Sequence, residues 1–281
     1  MKALVTGASG QLGSEIVEAF RTSTSYDVVA LGHDDLDVCN HHAVFQALLG
    51  EEPDVVVHAA AYTDVDGAQS DPRTAFAVNG WGSRNVAVAA REVDAYVCYI
   101  SSDYVFDGLK QSYTEWDAPN PISVYGASKL AGEKETRWHA PRWAIVRTAW
   151  LSGRRGRNFV KTVLEVKERR PVLEVVDDQR GSPSFAKDVA RKVVEICVRR
   201  LQGIFHVTNS GSATWLEVAR AILEEVGDDP SRVVPISTEK LGRPAPRPAC
   251  SVLENWCLDL AGLDPLREWR PALSELLREL S

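Results

Sequence analysis

The first half of the chain alternates short apolar segments with longer amphipathic ones. KALVTG, YDVVALG, DVVVHAAA and AYVCYISS are nearly continuous apolar runs of strand length, and helix-length segments separate them. The segment QLGSEIVEAFRTS, for example, places Leu12, Ile16 and Phe20 on one face of a helix. Strands that are apolar on both faces are covered by helices on both sides of the sheet. The alternation therefore predicts an α/β fold with a doubly wound parallel sheet.

Three glycines lie between the first predicted strand and the first predicted helix. Gly7, Gly10 and Gly13 in VTGASGQLG have the spacing GxxGxxG. The first would form a tight turn, the second would let the backbone approach a pyrophosphate, and the third would allow close helix packing. The free N–H groups of the helix N-terminus would then face the phosphates. The position of this turn predicts a dinucleotide site.

The end of the second strand does not identify the dinucleotide. The segment ALGHDD has Gly32 and His33 at the strand tip, followed by Asp34 and Asp35. An acid at the tip would bind ribose hydroxyls and an arginine would bind a 2′-phosphate, and neither is clearly present. His33 favours the phosphate and the aspartates favour the hydroxyls, while a solvated polar loop fits equally well. NADPH and NADH therefore both remain predicted cofactors.

A tyrosine and a lysine lie four residues apart in YGASKLAGE, on a predicted helix. Tyr125 and Lys129 would share one helix face, and the ammonium would stabilise the anion of a phenol whose free pKa is about 10. Such a phenol can protonate a carbonyl oxygen. The preceding strand ends in ISSDYVFDG, so Ser101 or Ser102 would hold the substrate oxygen beside Tyr125. The small residues at 126–131 would keep the helix slim beside a cofactor.

The segments after Trp150 alternate less regularly than those before it. We expect a cofactor-binding domain at 1–149, to which segments near 185–208 return. The remaining segments, 150–184 and 209–281, would form a smaller interleaved α/β substrate-binding lobe. In that lobe Arg154 and its neighbours would form a solvated loop, and on the first helix Glu15 would face solvent.

Composition excludes several classes of function. The formal net charge is −7, so the overall field does not favour nucleic acid. No apolar run approaches membrane-spanning length, and the first ten residues lack a secretory signal pattern. The five cysteines form no CxxC motif, which indicates free thiols and a cytoplasmic protein.

Motifs along nearly the whole chain resemble one family. Eight motifs follow one another in the same order as in dTDP-4-dehydrorhamnose reductases, which are extended short-chain dehydrogenase/reductases. They are GQLG, AAAYTDVD, SSDYVFDG, YGASKLAGE, RTAWLSG, DQRGSPSFAKDVA, GIFHVTNSGSATWLEVA and RPAPRPACSVLEN. The resemblance implies a Rossmann-like fold and NAD(P)H-dependent reduction of the C4 keto group of a nucleotide-activated 4-keto-6-deoxy sugar. The implied reaction converts dTDP-4-dehydro-L-rhamnose to dTDP-L-rhamnose.

The resemblance also implies roles for individual residues. Tyr125 would be the proton donor, Lys129 its electrostatic partner, and Ser102 stands where the family usually has a threonine. The residues expected to bind the dinucleotide, besides Tyr125 and Lys129, are Gly7, Gly10, Gln11, Leu12, Gly13, His33, Asp37, Val38, Ala61, Tyr62, Thr63 and Asn79. The residues expected to bind the nucleotide sugar are Ser102, Asp103, Tyr104, Trp150, Arg243 and Arg247.

The sequence departs from the family pattern at two further positions and leaves alternatives open. His58 stands where the family often has asparagine, and Cys250 stands where a tyrosine is expected. The alternatives are another nucleotide-sugar epimerase or reductase of the same superfamily, or a non-catalytic regulatory homologue. Dehydratases commonly carry Asp-Glu after the hydroxyl residue, whereas this chain has Asp103 and Tyr104.

The sequence says less about assembly and metal binding than about the fold and the site. A monomer and a homodimer both fit the sequence. Some members of the family dimerise through Mg²⁺ held by acidic residues, but no such group of ligands stands out along the chain. No metal site is therefore assigned, and Mg²⁺ is kept only as an alternative.

Overall fold

A computed structural model describes all of residues 1–281 and contains twelve strands and twelve α-helices. The strands are β1 (Lys2–Thr6), β2 (Asp27–Leu31), β3 (Val55–His58), β4 (Tyr96–Ser102), β5 (Arg142–Thr148), β6 (Leu151–Ser152), β7 (Leu173–Val176), β8 (Arg180–Gly181), β9 (Ser184–Phe185), β10 (Gly203–His206), β11 (Ala213–Thr214) and β12 (Val233–Ile236). The helices are α1 (Gln11–Ser23), α2 (His41–Glu51), α3 (Val65–Ser70), α4 (Pro72–Phe76), α5 (Ser83–Glu92), α6 (Val124–His139), α7 (Phe159–Lys167), α8 (Ala186–Val198), α9 (Trp215–Glu225), α10 (Thr238–Leu241), α11 (Trp256–Leu260) and α12 (Trp269–Leu280).

Six strands form one parallel sheet in the order β2-β1-β3-β4-β5-β10. Every residue of β3 and β4 is buried, as expected for central strands covered on both faces. On one face α1 and α8 pack through residues such as Ile16, Phe20 and Val193. On the other face α2 and α5 pack through residues such as Leu48 and Val86. The predicted doubly wound parallel sheet is confirmed.

A second hydrophobic core lies outside the main sheet. Helices α7, α9 and α12 pack with the parallel pair β7 and β12 around residues such as Val163, Ile222 and Leu273. Two further short pairs are β8 with β11, which is antiparallel, and β6 with β9, which is parallel. No helix combines the length and the apolar character needed to cross a membrane.

The segment DPRTAFAVNGWGSRNVAVAAREV, residues 71–93, has the pattern of one long helix, but in the structure it is divided. Between α4 and α5, residues Ala77–Gly82 form a π-helical turn in which Asn79 is fully buried. Such turns are often found at functional sites because they redirect side chains. Helix α3 and the pair β7–β12 were not predicted, because short elements show little periodicity in the sequence.

The parallel arrangement brings five strand ends to one edge of the sheet. Strands β1 to β5 end at Thr6, Leu31, His58, Ser102 and Thr148. In open α/β sheets ligands bind in the crevice beyond these carboxyl ends. The segments that follow the strands therefore determine what the molecule can bind.

Candidate functional site

A cleft of about 870 Å³ runs along the carboxyl edge of the sheet. This volume lies in the upper part of the range for small-molecule sites, which is about 300–1,000 Å³. The predicted site residues that line it are Gly7, Gly10, Gln11, Leu12, Gly13, His33, Asp37, Val38, Ala61, Tyr62, Thr63, Ser102, Asp103, Tyr104, Tyr125, Lys129 and Trp150.

The three glycines of the first turn have different structural roles. Gly7 has φ +65°, and a Cβ there would lie 2.6 Å from the backbone nitrogen of Ala60. A Cβ on Gly13 would lie 2.1 Å from the carbonyl oxygen of Gly7, so Gly13 lets α1 pack closely on the turn. At Gly10 a Cβ would have only the Gly7 carbonyl oxygen within 4 Å, at 3.1 Å. A side chain at Gly10 would therefore project into open space at the cleft.

The N-terminus of α1 has the features of an anion site. Its N-cap is Gly10, so no side chain caps the N–H groups of the first turn. The Gln11 side chain points elsewhere: its Nε2 donates to the Leu151 carbonyl oxygen at 2.8 Å, and its Oε1 accepts from Asn158 Nδ2 at 2.8 Å. The free N–H groups of this helix start, beside the open space that Gly10 leaves, fit a pyrophosphate.

Residues on either side of this turn widen the cleft into an elongated site. His33 and Asp37 are exposed at one end, beside the buried Val38. Ala61, Tyr62 and Thr63 line the wall beyond β3. Neither an acid nor an arginine is placed to distinguish ribose hydroxyls from a 2′-phosphate at the strand tip, since Gly32 and His33 occupy it.

Asn79 does not line the cleft, although it was predicted to contact the cofactor. Its Oδ1 accepts from the backbone nitrogen of Tyr62 at 2.8 Å, and its Nδ2 donates to the Tyr62 carbonyl oxygen at 3.0 Å. The same amide nitrogen donates to Ser128 Oγ at 2.9 Å. Because all of its hydrogen bonds are internal, Asn79 holds the wall of the cleft in place.

Tyr125 and Lys129 lie on consecutive turns of α6 and both reach the cleft. Lys129 is 2% exposed, and its Nζ donates to the Ile100 carbonyl oxygen at 2.7 Å and lies 4.3 Å from the centre of the Tyr99 ring. Tyr104 packs edge-on against the Tyr125 ring, with centroids 5.5 Å apart. The helix therefore places a phenol and an ammonium at the inner end of the cleft.

The acid–base properties of this pair differ from the prediction. Burial raises the pKa of Tyr125 to about 12; the neighbouring Ser102 hydroxyl acts in the opposite direction, and the Asp103 charge adds to the rise. Burial lowers the pKa of Lys129 to about 7, and the Glu133 carboxylate partly opposes that change. The stabilisation of the Tyr125 anion expected from Lys129 does not appear in the protein alone, because removal from water dominates the pKa of the phenol and it is Ser102 that opposes the rise. At neutral pH the phenol retains its proton.

Ser102 and Asp103 form a second polar group beside Tyr125. Ser102 Oγ donates to Asp103 Oδ1 at 2.9 Å and accepts from the Tyr104 backbone nitrogen at 3.2 Å. Burial raises the pKa of Asp103 to about 6, with Ser251 and Ser102 opposing the rise. The structure thus brings the Ser102 hydroxyl, the Tyr125 phenol and the Lys129 ammonium to one wall of the cleft.

His58 lies behind this wall and is fully enclosed. Its Nδ1 lies 2.8 Å from Thr6 Oγ1, and its Nε2 lies 3.1 Å from Ser83 Oγ. Burial, together with the nearby Lys129 charge, lowers the pKa of His58 to about 3. The imidazole is therefore neutral and serves as a hydrogen-bonding bridge between β3 and α5.

Arg243 and Arg247 do not line the cleft, although both were predicted to bind the nucleotide. Their guanidinium groups bind Asp66: Nη1 of Arg247 lies 2.7 Å from Oδ1, and Nη1 of Arg243 lies 3.3 Å from Oδ2. Arg247 nevertheless lies close enough to the Tyr104 phenol to oppose the rise in its pKa that burial causes. Arg247 therefore lies near the rim of the cleft, where it already binds Asp66.

Several residues of the cleft were missed by the sequence analysis. They include Thr148, Arg157, Phe159 and Trp215. The Trp215 indole stacks on that of Trp150 with centroids 3.5 Å apart and planes 3° apart, and Phe159 packs against Trp215 at 4.6 Å. The available signal was the position of Trp215, the first residue of α9 directly after its Thr214 cap, inside a motif shared with the family.

Two predictions about surfaces were wrong. The small residues of α6 do not face the cleft: a Cβ on Gly126 would lie 2.0 Å from the Tyr104 carbonyl oxygen, so the glycine allows α6 to pack on the turn after β4. Glu15 is only 5% exposed, because Arg154 folds over it with Nε 2.9 Å from Oε1. Arg154 thus links the segment after β6 to α1 while staying exposed like its neighbours, as predicted for a solvated loop.

Mg²⁺ gains no support, since no group of three or more His, Cys, Asp or Glu side chains is arranged to hold a metal ion.

Comparisons with known proteins agree with this geometry. The family model described as RmlD substrate binding domain matches residues 1–281. A dTDP-4-dehydrorhamnose reductase of Streptomyces griseus is 42% identical over 279 residues, which cover 97% of this chain and 91% of that protein.

Two solved structures superpose over nearly the whole chain. A dTDP-4-dehydrorhamnose reductase from Clostridium acetobutylicum has a TM-score of 0.96 at 41% identity, covering 100% of this chain and 99% of its own. That of Bacillus anthracis, solved in complex with NADP, has a TM-score of 0.96 at 38% identity, covering 99% of this chain and 100% of its own. The chain belongs to the dTDP-4-dehydrorhamnose reductase family.

Proposed function

We propose that the protein is an oxidoreductase that reduces the C4 keto group of a nucleotide-activated 4-keto-6-deoxy sugar, converting dTDP-4-dehydro-L-rhamnose to dTDP-L-rhamnose. The observation that carries the proposal is the convergence of Tyr125, Lys129 and Ser102 on one wall of a cleft that begins at the glycine turn. The names of the relatives supply the substrate class.

A nicotinamide dinucleotide fits the residues of the cleft. The uncapped start of α1, with Gly10, Gln11 and Leu12, would hold the pyrophosphate. His33, Asp37 and Val38 would lie near the adenosine, Ala61, Tyr62 and Thr63 along the dinucleotide, and Tyr125 and Lys129 by the nicotinamide ribose. When bound in reduced form, this group supplies the hydride. We keep both NADPH and NADH as candidates.

Tyr125 is the proposed proton donor to the carbonyl oxygen of the sugar. Its phenol carries a proton at neutral pH, since its pKa is raised to about 12. Proton donation leaves a phenolate, and a charged Lys129 one helical turn away stabilises that phenolate. The Ser102 hydroxyl lies beside the phenol and would orient the same oxygen.

Asp103, Tyr104 and Trp150 are the proposed contacts of the sugar, because they line the cleft next to Tyr125. Arg247 and Arg243 are proposed to meet the nucleotide diphosphate from the rim. Guanidinium groups suit phosphates, but reaching a ligand would require them to share or exchange Asp66.

The direct test supplies dTDP-4-dehydro-L-rhamnose with NADH and with NADPH in separate reactions. We expect stoichiometric consumption of at least one reduced cofactor and formation of dTDP-L-rhamnose, identified by NMR. A product with the other configuration at C4 would keep the reductase class and change the sugar. Turnover without added cofactor would instead indicate an epimerase that recycles a bound dinucleotide.

The Tyr125→Phe variant tests the assigned chemistry. It removes only the phenolic hydroxyl, so we expect cofactor affinity to stay within about twofold while turnover falls by about 10²–10⁴. Cofactor affinity is measured by fluorescence titration and turnover by absorbance at the nicotinamide band. Reduction at nearly the wild-type rate would refute the role of Tyr125.

A further inference from the structure

One bulky residue of the cleft has an unusual backbone. Trp150 has φ +44°, in the left-handed region. The other non-glycine residues in that region, Glu52, Asp94 and Arg200, each lie at the end of a helix, where such a conformation is common. Trp150 instead follows β5 and lines the cleft. Strained residues of this kind persist only when their surroundings hold them, and they cluster at functional sites.

Two neighbours hold the Trp150 indole. Trp215 covers one face of the ring with a centroid distance of 3.5 Å and an interplanar angle of 3°. Gly181 lies against the ring edge: a Cβ there would lie 2.4 Å from Cε2 and 2.5 Å from Nε1 of Trp150. Since Gly181 does not have a positive φ, its lack of a side chain makes room for the indole and is not needed by the backbone.

Trp215 is itself fixed by the start of α9. Thr214 and Glu217 form a reciprocal capping box around that start. The Trp215 Nε1 donates to Gln179 Oε1 at 3.2 Å. On the other side, the chain after Trp150 is held by Gln11, whose Nε2 donates to the Leu151 carbonyl oxygen. The indole pair therefore joins a rigid helix start in the second core to the turn that follows β5.

We propose that Trp215 and Gly181 are positioning residues that hold the Trp150 indole at the cleft wall in the orientation in which it contacts the nucleotide-sugar substrate. This inference rests on the proposed function, because Trp150 is assigned there as a sugar contact. Gly181 does not line the cleft and acts through Trp150 alone, whereas Trp215 supports the indole and also lines the cleft. Loss of either should weaken substrate binding and leave the dinucleotide end, at the glycine turn, intact. If Trp215 and Gly181 served only folding, their loss would weaken substrate binding and cofactor binding alike.

The sharpest test is Gly181→Ala, which displaces the indole without removing any side chain. We expect about a tenfold rise in KM for the keto sugar and a similar loss of affinity for dTDP-L-rhamnose by calorimetry, the scale of a lost aromatic pair. The cofactor dissociation constant should stay within about twofold. Gly50→Ala is the matched control, because Gly50 has no atom within 4 Å of an added Cβ.

Trp215→Ala and Trp215→Phe provide an independent route to the same answer. We expect the affinity of Trp215→Ala for dTDP-L-rhamnose to match that of Gly181→Ala. The affinity of Trp215→Phe should lie between those of Trp215→Ala and the wild type, since a flat ring restores part of the stack.

The inference is overturned if Gly181→Ala and Trp215→Ala both leave dTDP-L-rhamnose affinity within about twofold, or if cofactor affinity falls as much as substrate affinity. It is also overturned if the wild type does not bind dTDP-L-rhamnose. A wild type that binds this ligand but does not reduce the keto sugar would refute the proposed function alone, and the binding data would still decide the inference.

Discussion

Lys129 and Arg147 are both basic side chains that are almost completely buried, at 2% and 1% exposure, yet their surroundings differ. Arg147 binds Glu133 through two hydrogen bonds of 2.8 Å, from Nε and from Nη2. The Ser101 hydroxyl donates to the same carboxylate at 2.6 Å. Lys129 has a backbone carbonyl oxygen and the face of an aromatic ring as its partners.

The difference separates Arg147, whose charge supports the fold, from Lys129, whose charge is proposed to act on the reaction. Arg147 is paired with a carboxylate through two hydrogen bonds, so its energy depends on the geometry of that pair. Lys129 lacks a carboxylate of its own, and burial brings its pKa to about 7, where small changes alter its charge. Glu133 links the two, because it binds Arg147 and also raises the pKa of Lys129. Because Glu133 only partly offsets the effect of burial on the pKa of Lys129, this lysine is suited to its proposed role beside Tyr125.

The largest effect is expected from Arg147→Met, which breaks the compensated pair. Removing one member of a buried ion pair leaves the other charge unpaired and typically costs about 3–5 kcal/mol of stability. The free energy of unfolding, measured by urea denaturation, should fall by that amount.

The double variant Arg147→Met with Glu133→Leu is the control for this loss. Replacing both charges by apolar groups removes the unpaired carboxylate, so we expect recovery of at least about 2 kcal/mol relative to Arg147→Met alone. A double variant as unstable as the single one would show that packing around Arg147, and not its charge, is what matters.

A smaller effect, of a different kind, is expected from Lys129→Met. Loss of the ammonium removes stabilisation of the phenolate, so kcat/KM should fall by about 10²–10³, equivalent to about 2.7–4 kcal/mol. The free energy of unfolding at pH 7 should stay equal or rise, because a desolvated group is removed. Lys134→Met on the same helix is the matched control, since Lys134 is exposed and should change neither quantity. A large loss of stability in Lys129→Met would place it in the same class as Arg147.

The sequence allowed the fold and the location of the site to be predicted, but not this contrast. Tyr125, Lys129 and Ser102 were identified because spacing and strand ends determine which residues meet at the edge of a parallel sheet. Glu133 lies in the same segment as Tyr125 and Lys129, and Arg147 opens the motif RTAWLSG, but neither received a role. Their pairing depends on the distance between β5 and α6, which periodicity does not contain.

Contacts between distant segments account for most of the differences between the expected and the observed partners of these side chains. Asn79 was assigned to the cofactor from its motif, whereas the π-helical turn directs it to the Tyr62 backbone. Arg243 and Arg247 were assigned to phosphates, whereas Asp66, nearly 180 residues away in sequence, already binds them. Polar side chains of this kind take whichever partner the tertiary structure supplies, and a single sequence does not show which one that is.

The pH dependence of stability gives a third test of the contrast, with a smaller expected effect. The pKa of Lys129 is about 7 in the folded chain and about 10.4 when unfolded. Between these values the unfolded chain holds a proton that the folded chain lacks, so the free energy of unfolding rises with pH, by at most about 1.4 kcal/mol per unit. The free energy of unfolding of the wild type minus that of Lys129→Met should therefore increase by about 1–2 kcal/mol from pH 7 to 8.5. A constant difference would mean that Lys129 is compensated as fully as Arg147.

The smallest effect is expected at His58, the third buried basic side chain of this region. Its pKa of about 3 makes it neutral, so it adds no charge beside Lys129 and contributes only its hydrogen bonds to Thr6 and Ser83. His58→Asn, which introduces the residue often found in the family, keeps a polar group but is too short to bridge both partners. We expect a loss of about 1 kcal/mol in unfolding free energy by urea denaturation, and kcat/KM within about threefold of wild type, a change of under about 1 kcal/mol in the barrier. A much larger change in kcat/KM, with stability preserved, would show that the imidazole influences the charge of Lys129, and the contrast between paired and unpaired bases would then have to include it.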